Sequence, residues 1–173
     1  LFTDGSLGGR TAWMLEPYED TGGYGLLLRP MAEIEADVER ANLAGLSVAV
    51  HAIGDRAIRE LLGALERVAG RHPELKGRRI PNRIEHVQNV RPEDMPRLAP
   101  LGVVASVQPI HLVDDLAMVE QTVGARGRFT YTFRDLWEAG VPLAMGSDCP
   151  VANPNPWWGI QAAVTRQRRD GTP

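Results

Sequence analysis

The stretch Leu46-Ser47-Val48-Ala49-Val50-His51 is a short apolar run that ends on a histidine. Its length and its valines predict a buried strand with His51 at its end. Directly downstream, residues from about 55 to 69 place apolar side chains at helical spacing, which predicts an amphipathic helix. A strand followed at once by a helix is the repeating unit of α/β folds, so this stretch indicates the fold class.

The same unit recurs along the chain. A helix is predicted from about Pro30 to Leu43, where Gly45 stops it, and residues 109–115 are predicted to be irregular. The further strands are predicted at Asn82–His86, Val103–Val107 and Val141–Met145, and the further helices at Arg91–Leu98, Leu116–Val123, Phe133–Ala139 and from Pro156 onward. This alternation predicts parallel strands covered by helices, either as a doubly wound open sheet or as part of a (β/α)₈ TIM barrel. A nucleotide-binding doubly wound domain is disfavoured, because no strand is followed by a G-x-G-x-x-G or P-loop motif.

The composition is that of an ordinary globular domain. Of 173 residues, 43% are hydrophobic and 24% are charged, with a formal net charge of −3. Because there is no basic excess and no apolar run near the roughly 18 residues of a spanning helix, we expect no nucleic-acid or membrane partner. The first residues lack the pattern of a signal peptide, and the single cysteine, Cys149, excludes an intrachain disulfide. We therefore expect a cytoplasmic location.

Polar side chains stand at the carboxyl ends of the predicted strands. They are His51, His86, Gln108 and Asp148. In parallel α/β folds this edge is where ligands bind and catalytic residues gather. Two imidazoles and one carboxylate, delivered by three strands, suit zinc or a similar divalent ion. Each residue alone also fits an ordinary hydrogen-bonded histidine or a capping aspartate, so only the coincidence of all three at one edge favours a metal site.

Four short motifs, taken in order, resemble the amidohydrolase superfamily. They are His51–Ala57, Arg83–Gln88, Ser106–His111 and Gly146–Val151. The chain most resembles the YtcJ-like branch, which includes the N-substituted formamide deformylases. Leu1–Gly8 and Ala162–Arg166 are similar to that branch too, so the resemblance covers nearly the whole chain.

The resemblance implies a metal-dependent hydrolase that acts on carbon–nitrogen bonds of small non-peptide amides. His51 would end the fifth barrel strand and His86 the sixth, both as metal ligands, with zinc as the expected ion. Asp148 would end the eighth strand, where the family uses an aspartate both to contact metal and to move protons as a catalytic residue. The implied chemistry is attack by metal-bound hydroxide, with a carboxylate passing the proton to the leaving amine.

Parts of the family pattern are not found in this chain. The first strand of the family supplies a His-x-His pair and the fourth a lysine or acidic ligand, but the only lysine here, Lys76, lies in a polar loop. We therefore expect residues 1–173 to form a single partial barrel domain, about strands five to eight, without the N-terminal half or the small β-domain. Such a piece is expected to be inactive or nearly so, and to self-associate through uncovered barrel edges. The competing hypothesis is a non-catalytic α/β domain whose polar strand ends bind a small ligand or nothing.

Further residues are candidates for contact with the substrate. They are Gln108, His111, Asp4 and Arg83. Asp4 lies on a glycine-rich loop that is expected to line the mouth of the site, whereas structural roles are equally open for Gln108 and His111. Arg83 and Glu85 alternate around Ile84 and point the same way, so an ion pair is favoured over a catalytic role. Asp55 is expected to cap the helix that starts beside it.

Overall fold

A computed structural model describes residues 1–77, 79–168 and 170–171. Its centre is a parallel sheet whose strands lie side by side in chain order. The strands are β1 (Ala49–Ala52), β2 (Arg83–His86), β3 (Val104–Val107) and β4 (Leu143–Met145). Consecutive parallel strands with a helix after each are the repeating arrangement of a (β/α)₈ barrel, and across the described ranges the sheet does not close. The prediction of an α/β partial barrel is confirmed.

Helices cover one face of this sheet. They are α1 (Met31–Leu43), α2 (Asp55–Arg71), α3 (Met95–Leu98), α4 (Pro109–Val123), α5 (Phe133–Glu138) and α6 (Pro156–Thr165), with short 3₁₀ segments at Pro73–Leu75, Ala99–Leu101 and Gly124–Phe129. The apolar stripe predicted for α2 is buried throughout, at Ile58, Leu61, Leu62, Leu65 and Val68. None of the helices in the described ranges is both long and apolar enough to cross a membrane.

Strand pairing separates a core face from a polar face. Val50, Ile84 and Ala105 are paired across β1, β2 and β3, and all belong to the main hydrophobic core. Because successive strand residues point to opposite faces, the next layer along, His51, Glu85 and Ser106, lies on the other side. That side corresponds to the interior of a closed barrel.

Two boundaries differ from the sequence predictions. The first strand was predicted at Leu46–Val50 but spans Ala49–Ala52, because the left-handed Gly45 and the bond from Leu46 N to Ala41 O keep the preceding residues in a turn. Residues 109–115 were predicted to be irregular but form the start of α4. Pro109 occupies the first helical position, where its fixed φ favours the helix, and Ile110, Leu112 and Val113 are buried against the core.

The predicted cap at Asp55 is also wrong. Gly54 is the N-cap residue of α2, and no side chain caps this helix end. The Asp55 carboxylate instead accepts bonds from Leu15 N at 2.8 Å and from Arg91 Nε at 2.6 Å. It therefore ties the N-terminal loop to the segment after β2.

Large apolar side chains remain exposed along β4 and α6. Met145, Trp157 and Val164 are 56%, 72% and 77% exposed. Self-association through these edges, and the division of the chain as one partial domain, stay predictions.

Candidate metal centre

Three side chains converge at the carboxyl edge of the sheet. His86, His111 and Asp148 each offer one ligand atom, and these atoms lie within 4.8 Å of one another. His86 ends β2, His111 is in the first turn of α4, and Asp148 follows β4. Three βα units therefore deliver one ligand each to a single point, which we call the His86–His111–Asp148 cluster.

His86 reaches the cluster through an unusual backbone. Its φ is +72°, and that of Val87 is +46°, although L-residues rarely adopt positive φ and β-branched residues least of all. Strand alternation alone would give His86 the same direction as Ile84, which is buried in the core. The left-handed turn ends the strand at this residue and costs on the order of 1–3 kcal/mol per residue, a strain typical of functional sites.

A hydrogen bond fixes the ring of His86. Its Nδ1 lies 2.8 Å from Oε1 of Gln108, while Nε2 of Gln108 donates to the carbonyl of Ser106 at 3.2 Å. Because an amide oxygen only accepts, Nδ1 of His86 carries the proton and Nε2 is left as the ligand atom. Gln108 is buried and orients His86, which is the structural role that the sequence left open; its contact with substrate stays a prediction.

The electrostatics keep His86 ready to bind a metal. Burial, followed by the charge of His51, lowers the pKa of His86 below its usual value. A neutral imidazole is the form that binds metal ions.

His111 has a ring nitrogen that invites a ligand. Its ring stacks on that of His86 with centroids 6.5 Å apart. Its Nε2 is buried and has no hydrogen-bond partner in the described part of the chain. Such an atom costs about 1–3 kcal/mol unless something binds it. Imidazole, imidazole and carboxylate are donors that a borderline divalent ion prefers, so the residues present fit a metal.

Asp148 supplies the carboxylate of the cluster. It is exposed, and its φ is +57°, a region that aspartate tolerates better than most residues. The turn after β4 therefore presents the side chain to the edge where the two histidines lie.

His51 lies beside the cluster but outside it. In the sheet, Ala52 pairs with His86. His51 therefore lies one residue before the end of β1, whereas it was predicted at the end of the strand. Its Nε2 is 2.9 Å from the carbonyl of Gly5 and donates there, which leaves Nδ1 free to bind a metal. The rings of His51 and His86 are 4.6 Å apart. The ligand role of His51 stays a prediction.

Asp4 does not line the mouth of the site. Its carboxylate is fully buried and accepts backbone N–H bonds from Trp13 and Gly54, both at 2.8 Å, and from Ile53 at 3.1 Å. Burial raises its pKa, and the bonds from Gly54, Trp13 and Ile53 oppose that rise. Asp4 therefore fastens the N-terminal loop to the end of β1, and its predicted contact with substrate is corrected to a structural role.

Arg83 also lies away from the cluster. It begins β2, three residues before His86, and it forms an ion pair with Glu85. Three strand residues span roughly 10 Å, so Arg83 is near the opposite end of the strand. The ion pair favoured by the alternation of these residues is present. The substrate contact of Arg83 stays a prediction.

The sequence reading missed the place of His111 in the cluster. Besides its place in the Ser106–His111 motif, its position two residues after Pro109 carried a signal, since Pro109 marks a helix start that would set His111 in the first turn.

A parallel βα sheet with histidine and aspartate side chains meeting at its carboxyl edge defines the class of metal-dependent α/β-barrel proteins. Within that class, the chain belongs to the Amidohydrolase family, whose model matches residues 1–172. The resemblance noted from the motifs is thereby confirmed.

Two curated relatives are similar to nearly the whole chain. Protein LONG AFTER FAR-RED 3 of Arabidopsis thaliana is 40% identical over 168 residues, which cover 95% of this chain and 28% of the relative. Putative amidohydrolase YtcJ of Bacillus subtilis (strain 168) is 34% identical over 169 residues, 96% of this chain and 31% of the relative. The chain therefore spans less than a third of the length of these relatives.

Solved structures agree on the fold. An uncharacterised metal-dependent hydrolase from Pyrococcus furiosus matches with a TM-score of 0.84 and 38% identity, covering 94% of this chain and 33% of that chain. An uncharacterised metal-dependent hydrolase from Pyrococcus horikoshii OT3 matches with a TM-score of 0.85 and 35% identity, covering 99% of this chain and 33% of that chain.

Proposed function

We propose that this chain forms part of a metal-dependent hydrolase and that the His86–His111–Asp148 cluster holds a divalent ion, with zinc as the expected metal. The observation that carries the proposal is the convergence of ligand atoms of His86, His111 and Asp148 within 4.8 Å, together with Nε2 of His111, which is buried and has no hydrogen-bond partner among the described residues. His51 is proposed as a further ligand through Nδ1. The metal-dependent hydrolases among the structural relatives support the same class.

The proposed reaction is hydrolysis of a carbon–nitrogen bond in a small non-peptide amide. His86, His111 and Asp148 would hold the zinc ion, which would supply acidity by lowering the pKa of a water towards neutrality. Asp148 then accepts the proton of the attacking water and delivers it to the leaving amine. Gln108 holds the ring of His86 in the tautomer that leaves Nε2 free.

The chain by itself is proposed to turn over little or no amide. The residues that would hold the metal come from one side of the site, so the site would be more open to solvent than in a closed barrel. The structural relatives are about three times as long as this chain.

Metal titration of the purified chain tests the proposal. Isothermal titration with Zn²⁺, and the visible absorption spectrum with Co²⁺, are compared for the wild type, His86→Ala, His111→Ala and Asp148→Asn. We expect one site per chain in the wild type and an affinity at least tenfold weaker in each variant. Zinc at 100 times its Kd should raise the free energy of unfolding by about 2.7 kcal/mol.

His72→Ala is the matched control, because His72 lies in the connection from α2 to β2 and pairs with Glu39 and Glu74. Its loss should leave the titration unchanged, while His51→Ala decides whether that ring is a further ligand. Zinc that does not bind the wild type, or that binds all cluster variants equally, favours the competing α/β ligand-binding domain.

A further inference from the structure

A second carboxylate lies one helical turn from the cluster. Asp115 is four residues after His111 on α4, so the two side chains share a helix face with Cβ atoms about 5–6 Å apart. The two groups interact electrostatically, since the charge of His111 opposes the rise in the pKa of Asp115. Asp115 therefore stands beside the cluster, although neither the motifs nor the three converging ligands include it.

Tyr131 fixes the position of this carboxylate. Its hydroxyl donates to Oδ2 of Asp115, and the tyrosine is 5% exposed. The backbone of Tyr131 has a φ of +56°, a conformation that costs an L-residue roughly 1–2 kcal/mol. It is held there by a bond of 2.9 Å to the carbonyl of Gln88 and by Nη1 of Arg166, 3.3 Å from the Tyr131 carbonyl. The fold thus imposes the direction of the Asp115 carboxylate.

The charge of Asp115 is only partly compensated, by the nearby charge of His111 and the hydrogen bond from Tyr131. No lysine, arginine or histidine of the described ranges forms an ion pair with it, and its Oδ1 accepts no hydrogen bond there. Burial raises its pKa, and the neighbouring Asp114 raises it further. A half-buried carboxylate gains from a bound cation, which restores part of the solvation that it lost.

Buried polar atoms on either side of Tyr131 also lack partners. Nε2 of Gln88 and Oγ1 of Thr132 make no hydrogen bond within the described residues, and Gln88 is only 4% exposed. Buried polar atoms are normally satisfied, so these exceptions beside the backbone of Tyr131 are consistent with a ligand in this part of the chain. This observation does not depend on the charge of Asp115.

We propose that Asp115, oriented by Tyr131, determines specificity by binding a protonated amine of the substrate, so that the substrate class is a small amide with a cationic group. The inference rests on the proposed function, because it assumes that the scissile amide is bound at the His86–His111–Asp148 cluster. The alternative is that Asp115 only anchors Tyr131.

Two isosteric probes separate these readings. N-(4-aminobutyl)acetamide carries an ammonium group where N-pentylacetamide carries a methyl group. Binding of each to the zinc-loaded chain is measured by ligand-observed NMR titration. For the wild type we expect the cationic probe to bind about tenfold more tightly, with a preference that shrinks at high salt because the pair is electrostatic.

Variants assign that preference to one side chain. Asp115→Asn should abolish it, and Tyr131→Phe should reduce it without abolishing it, because the carboxylate remains but is no longer held. Asp114→Asn, at the exposed neighbour, is the matched control and should keep it. If Asp115→Asn does not fold, Asp115→Glu keeps the charge, displaces it by one methylene and should still weaken the preference several-fold.

The Co²⁺ spectrum separates failure of this inference from failure of the proposed function. A wild type that binds Co²⁺ but binds both probes equally, or binds the cationic probe undetectably at 10 mM, overturns the inference alone. A preference for the cationic probe that survives Asp115→Asn also overturns the inference alone. A wild type that binds no Co²⁺ removes the proposed function first, and the inference with it.

Discussion

The two ends of the sheet turn the chain by different means. At the amino ends, each strand follows a glycine with positive φ. These are Gly45 at +78°, Gly77 at +73°, Gly102 at +63° and Gly140 at +78°. At the carboxyl ends, the left-handed residues are His86, Val87 and Asp148. Glycine adopts this conformation without a steric penalty, whereas the others are strained by it.

Polar groups also differ between regions of the molecule in whether they have partners. Between α1 and α2, ion pairs are dense, since Arg71 contacts both Glu35 and Glu39 at 2.8 Å. At the carboxyl edge, buried atoms of His111 and Gln88 lack partners in the described chain. In this fold, the backbone is unstrained and the polar groups have partners where segments only connect helices and strands. Strain and unsatisfied atoms concentrate where we propose a ligand.

The largest effect is expected from Asp4→Ala, which removes the carboxylate that fastens the functional end. Three backbone donors would lose their acceptor: those of Ile53 and Gly54, which are buried, and that of Trp13, which is half-buried. Each costs about 1–3 kcal/mol, so the free energy of unfolding should fall by roughly 3 kcal/mol or more. Urea denaturation measures it.

The control is Asp114→Ala, at an exposed position of α4, which should change stability little. Equal losses in the two variants would show that the buried carboxylate does not hold the loop, and the carboxyl edge would then be stabilised by packing alone.

Intermediate effects on the free energy of unfolding, opposite in sign, are expected when two glycines are replaced by alanine. Gly102→Ala forces a side chain into the left-handed region and should destabilise the chain by about 1–2 kcal/mol. Gly70→Ala, inside α2, should stabilise it by up to about 1 kcal/mol through helix propensity.

Neither new methyl group meets an atom of the described residues within 4 Å, so the pair isolates backbone conformation from packing. Thermal melts of both variants provide the measurement. A Gly102→Ala variant as stable as the wild type would remove the contrast between relaxed and strained ends.

Sequence periodicity gave the elements but not the pairing of their residues. The α2 stripe was predicted correctly because apolar spacing directly reports which side of a helix is buried. His51 was placed one residue too far out, since an apolar run does not say which residues of β1 and β2 are partners. The roles of Asp4 were also out of reach, because two of its donors, Ile53 and Gly54, lie about 50 positions away in the chain. Long-range hydrogen bonds leave no local pattern.

The smallest effect is expected near the amino ends of the strands, in the pH dependence of the free energy of unfolding. Nε2 of His72 is 2.7 Å from Glu39, and this bond, followed by the one to Glu74, raises the pKa of His72 above 6.5. The folded pKa exceeds the unfolded value, so the stabilisation is fully present below about pH 6.5 and is lost as the pH rises through the folded pKa. Glu39 stays ionised in this window, because its bond to Arg71 lowers its own pKa.

His72→Gln should therefore be less stable than the wild type at pH 5.5 and nearly equal to it at pH 9, as measured by urea midpoints. Glu138→Gln, at an exposed pair with Arg134, serves as a control because no histidine takes part. A wild-type advantage that persists at pH 9 would mean that His72 acts through packing rather than charge. In that case the ion pair of His72 would contribute little to the stability of the amino end. The contrast between the amino end and the carboxyl edge would then rest on backbone conformation alone.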